Sequence, residues 1–84
     1  MSETEVFYYL ERKIKGYERL GYEGYVVPVD DGFRIELVYK GIKNVSEYSW
    51  VELPSGKNAC VERLRYILNE MASGIKDFID HNTY

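Results

Sequence analysis

The chain has 84 residues, 45% hydrophobic and 30% charged, with a formal net charge of −3. That length supports one domain, 1–84, with one core, and the absence of Pro/Gly/Ser tracts or like-charge blocks places it in the ordered globular class. The mild acidity argues against a general nucleic-acid glue, which carries a basic excess.

In residues 4–20 the apolar positions Val6, Leu10, Ile14 and Tyr17, joined by Phe7 and Leu20, recur at the spacing of one helical face. Thr4 or Ser2 can cap its start, Glu11 precedes Lys15 by four residues, and Gly21 is the natural stop. The acidic opening Met1-Ser2-Glu3-Thr4-Glu5 has no basic region or following apolar run, so it does not read as a secretory signal.

Residues 22–29 read as a strand in which Tyr25, Val27 and Val29 share a face, and residues 33–40 alternate Phe33, Ile35, Leu37 and Tyr39 against Arg34, Glu36, Val38 and Lys40. A three-residue connection Asp30-Asp31-Gly32, with Gly32 at positive φ, would pair Val29 with Phe33 and set Tyr25, Val27 and Val29 towards the core. Pro28 cannot donate to a ladder and marks an edge strand.

The next connection, through Gly41-Ile42-Lys43-Asn44, has an even number of loop residues, which keeps Tyr48 and Trp50 on the face of Phe33 and Ile35. A two-residue loop at Lys43-Asn44 would oppose Lys40 with Glu47 and Tyr39 with Tyr48. Pro54-Ser55-Gly56 ends the strand, and residues 57–80 carry Cys60, Leu64, Ile67, Leu68, Met71, Ile75, Phe78 and Ile79 at helical spacing. One continuous or gently bent helix is expected through Gly74. The fold class is therefore α+β in the order α-β-β-β-α, a three-stranded antiparallel meander with two helices packed on one face.

No Gly-rich phosphate loop is present, because Gly21-Tyr22-Glu23-Gly24 and Ser55-Gly56-Lys57-Asn58 lack the remaining glycines. Cys60 and His81 are single residues of their kinds, which excludes an internal disulfide and a cysteine-based zinc cage, and Cys60 falls on an apolar helix face as a buried thiol. Asp30-Asp31 suits a turn, and Glu36 a wet sheet face. A non-catalytic protein without metal or cofactor is expected, located in the cytoplasm, since the longest apolar runs resemble Val26-Val27-Pro28-Val29 and a membrane span needs roughly twenty residues.

Two surfaces stand out. The sheet face opposite the helices is expected to show Val26, Val38 and Val51, with Val45 and Leu53, among Arg34, Glu36, Lys40 and Ser49. An aliphatic cluster rimmed by charges is the mark of an interface with a protein partner or a second copy. The interface is placed on Val26, Arg34, Glu36, Val38 and Val51. The alternative is nucleic-acid binding through Arg12, Lys15 and Arg19, which share a face of the first helix one turn after Tyr8, together with Lys57.

With Ser55, Gly56 and Lys57 at the mouth of the second helix and Arg12 and Lys15 on the first, the order of elements is similar to the double-stranded RNA-binding domain. That resemblance implies minor-groove contacts by the first helix and a lysine cluster opening the second. Topology carries the likeness: only Lys57 stands where that family has several lysines, and Cys60 and Val61 replace its basic and small residues.

Overall fold

The computed structural model describes residues 1–82. Thr83 and Tyr84, at the end of the expected 1–84 domain, lie outside the described residues. Helix α1 (Glu3–Glu18) is followed by strands β1 (Glu23–Val29), β2 (Gly32–Tyr39) and β3 (Ile42–Ser49), a 3₁₀ turn (Trp50–Glu52) and helix α2 (Lys57–His81). The strands form one antiparallel sheet in the order β1-β2-β3, so the α+β, α-β-β-β-α reading holds. No described helix is long and apolar enough to cross a membrane.

Helix α1 begins at Ser2, whose Oγ accepts from the Glu5 N–H at 3.2 Å while Glu5 Oε1 accepts from the Ser2 N–H at 3.0 Å. This reciprocal capping box satisfies two of the amides that a helix start leaves unpaired. The backbone hydrogen bond from Ser2, and secondly its side chain, hold the Glu5 carboxyl below its ordinary range. The helix ends at Glu18, two residues before the expected boundary, so Leu20 leaves the apolar face and is 68% exposed. Helix α2 runs unbroken through Gly74 for 25 residues. There the chain comes close to β3: Asn44 Nδ2 donates to the Met71 carbonyl at 3.1 Å.

Both helices lie on one face of the sheet. Phe33, Ile35 and Leu37 of the central strand are fully buried against Val6, Leu10 and Ile14 of α1 and Leu64, Leu68 and Ile75 of α2. Cys60 joins this core as a buried thiol. Trp50 packs at its rim, 5.2 Å from the Phe33 ring and 5.7 Å from Phe7. Phe78, expected on the apolar face of α2, is 53% exposed instead: Ile75 and Ile79 take the inward positions, and Phe78 borders a hollow beside Gly41, Ile42 and Lys43.

Both hairpins differ from expectation in register. In the first, the loop is the two residues Asp30 and Asp31, Val29 opposes Gly32, and Phe33 opposes Pro28. Asp31, at φ 60°, supplies the left-handed residue, which Asp tolerates better than most side chains. Gly32 is thereby released into the ladder, where a Cβ would overlap the Tyr48 carbonyl oxygen. One residue fewer in the loop turns every side chain of β1 over. Val26 thus packs against the core, and Tyr25, Val27 and Val29 face away from the helices, leaving Tyr25 55% exposed. Pro28 does sit on an edge strand.

In the second hairpin the loop is Lys40 and Gly41 rather than Lys43-Asn44, with φ of 51° and 80°. Positive φ at both central residues matches the twist of the flanking strands and favours this tighter turn. Phe33 now opposes Tyr48, and Arg34 opposes Glu47. The loop remains even, so Tyr48 stays on the face of Phe33.

Candidate functional site

The face of the sheet away from the helices is covered by no other described element. Its cross-strand rows follow from the register: Glu23, Val38 and Lys43; Tyr25, Glu36 and Val45; Val27, Arg34 and Glu47; Val29, Gly32 and Ser49. Along edge strand β1 the outward residues Tyr25, Val27 and Val29 make a continuous apolar row. Val38 and Val45 stand singly among charges further in.

The charges in the middle pair with one another. Glu36 lies between two cations, its Oε1 3.3 Å from Lys43 Nζ and its Oε2 3.7 Å from Arg34 Nε, while Arg34 Nη1 is 3.7 Å from Glu47 Oε2. At this half-exposed surface the pairs contribute little stability. Their effect is to balance the centre of the face, two cations against two carboxylates, with Glu23 on β1 leaving a single negative charge in excess, so nothing on it selects a strongly charged partner.

Of the five residues expected at this interface, Arg34, Glu36 and Val38 are on the open face. Val26 is not, because the flipped register of β1 turns it inward against the core. Val51 is not, because the chain leaves the sheet at Ser49 and coils into the 3₁₀ turn, where Val51 is 90% exposed and off the face. Lys40 belongs to the tight turn and Leu53 packs beside the core. The residues missed were Tyr25, Val27 and Val29. Their alternation was visible, but their side of the sheet depended on one loop residue.

The basic residues of the alternative reading are partly brought together. Arg12 and Lys57 line one hollow of about 380 Å³ with Tyr8 and Tyr9, and Arg12 lies 5.6 Å from the Tyr8 ring. Glu5 shares that hollow. Lys15 and Arg19 are exposed near the end of α1 and do not line it. Among the described residues no group of three His, Cys, Asp or Glu side chains is placed to hold a metal ion.

Compared with known proteins, the chain shows no match to a family, to a curated protein or to a solved structure.

A tyrosine beside two valines on an edge strand offers a flat, rigid contact area that loses little side-chain entropy when covered, the type of residue that anchors interfaces. Pro28 interrupts the donors of the same edge, which works against simple strand addition along its whole length. Contact is therefore favoured on the face rather than through the strand's backbone.

Proposed function

We propose that this chain is a small non-catalytic interaction module that binds a protein partner, or a second copy of itself, through the open face of its sheet. The observation that carries the reading is the uncovered row Tyr25, Val27 and Val29, continued by Val38 and Val45 across a charge-balanced centre. The test is solution mass by light scattering over a concentration series, for wild type, for Val27→Lys with Val38→Lys, and for Val51→Lys as an off-face control. A wild-type dimer that the double variant, but not the control, converts to a folded monomer supports the face as the contact. A wild-type monomer throughout refutes the second-copy form. The foreign-partner form is then read from a photo-crosslinker at position 27 against one at position 51, with equal crosslinking refuting it.

A second reading, nucleic-acid binding, is favoured by one observation, the meeting of Arg12 and Lys57 beside Tyr8. Arg12→Glu with Lys57→Glu would abolish an oligonucleotide complex and leave sheet-mediated binding intact.

A further inference from the structure

Where the end of α1 meets the middle of α2, two hollows of about 250 and 360 Å³ adjoin and share Tyr17, Leu20 and Asn69. The first is bordered by Lys13 and Arg65, the second by Lys76. No Asp or Glu lines either one. In a chain with 14 acidic and 11 basic residues, a groove bordered by cations alone is a local inversion of the overall charge. Among the described residues Lys13 and Lys76 have no ion-pair partner, and Arg65 has only Glu62 at 4.0 Å. Lys13 instead lies 5.6 Å from the Tyr9 ring.

The floor is apolar and held in place. Tyr17 Oη donates to Asn69 Oδ1 at 2.7 Å, tying the two helices together and leaving the Asn69 N–H groups as donors. Behind them the Tyr17 and Tyr22 rings meet edge to face at 5.4 Å, and Tyr22 stacks on Tyr39 at 4.4 Å. Burial raises the pKa of Tyr17 and Tyr22, first by desolvation and then through neighbouring tyrosines, so both stay neutral hydroxyls at physiological pH. Leu20 stands exposed at the junction of the two hollows. Tyr39 is engaged both by the Tyr22 ring and by Lys40, whose Nζ lies 5.3 Å from its centroid.

We propose that this groove binds an acidic peptide segment of a partner protein, with an apolar side chain seated on Leu20 and Tyr17 and carboxylates at either end against Lys13 with Arg65, and against Lys76. Length fits this occupant. Arg65 and Lys76 are eleven positions apart on α2, about 16 Å at the helical rise, which an extended peptide covers in about five residues. The shallow opening and charge complementarity fit a peptide better than an enclosed small molecule. The surface is separate from the open sheet face, and the two stand or fall independently.

The test uses the full chain and a fluorescein-labelled peptide Glu-Glu-Ser-Leu-Ser-Glu-Glu, with binding followed by anisotropy and amide shifts. The expected result is shifts centred on Leu20, Asn69 and Lys76, and binding weakened about tenfold or more by Lys13→Glu with Lys76→Glu, as reversal of partly desolvated charge contacts requires. Lys43→Glu on the open face would leave binding unchanged, as would Val27→Lys with Val38→Lys. The proposal is overturned if a peptide with Gln in place of every Glu binds equally, if the Lys13 and Lys76 reversals have no effect, or if no binding is seen. Equal shifts with inorganic phosphate alone, and no gain from the leucine peptide, would also overturn it by reducing the groove to a simple anion hollow.

Discussion

Gly32→Ala tests the register on which the open face depends. A Cβ at Gly32 would overlap the Tyr48 carbonyl oxygen and lie 2.9 Å from the Tyr48 carbonyl carbon and 3.0 Å from Ser49 Cα. These are backbone atoms of the neighbouring strand, so no side chain can swing aside. Relief requires β2 and β3 to part where Trp50 N–H donates to the Asp31 carbonyl at 2.9 Å. Losing that hydrogen bond costs about 1 kcal/mol, and forced overpacking costs about 1–3 kcal/mol more. The expected loss is about 2–4 kcal/mol, a large part of the roughly 4–12 kcal/mol expected for a chain of this size, with Tm lower by about 10–25 °C. Trp50 is the sole tryptophan and sits at this corner, so its fluorescence in a guanidinium titration reports the change directly. Gly32→Asn separates the two registers. Asn tolerates the left-handed conformation, so it would be accepted if Gly32 were the turn residue, but it brings the same Cβ into the ladder. Stability within about 0.5 kcal/mol of wild type for Gly32→Asn, beyond the scatter of surface substitutions, would refute the observed register and with it the face assigned to Tyr25, Val27 and Val29.

Leu64→Ala, at a fully buried position of α2, is expected to cost about 2–5 kcal/mol in chemical denaturation, and a near-zero loss would refute the central place of α2 in the core. The capping box predicts a pH dependence. Because folding lowers the Glu5 pKa, its contribution is present above the ordinary glutamate value and is lost as pH falls through the folded-state value. An NMR titration should show Glu5 with its midpoint below 4.5 and the first turn of α1 fraying on acidification, an effect that Ser2→Ala reduces by removing the hydroxyl while the residue-2 N–H still donates to Glu5. A midpoint at or above 4.5 would refute the capping box.

The two helices, the three strands, their order and the inward face of β2 were legible in the residues. Periods of 3.6 and 2 are properties of each segment alone, and Val6, Leu10 and Ile14, or Phe33, Ile35 and Leu37, keep their phase whatever the turns do. The parity of the second hairpin was legible for a similar reason, since any even loop keeps Tyr48 beside Phe33.

What the tertiary structure decided were relations between segments. Asp31 rather than Gly32 took positive φ because Gly32 was needed where β3 passes too closely for a side chain, a fact that exists only once β2 and β3 are paired. That single residue reversed β1 and exchanged Val26 for Tyr25, Val27 and Val29 on the open face. Lys13 with Leu20, seven positions apart, and Arg65 with Lys76, eleven apart, are each spaced by nearly whole helical turns, but nothing along the chain relates the first pair to the second. They meet because Tyr17 bonds Asn69 across 52 positions, and only the packing of α1 against α2 sets that distance.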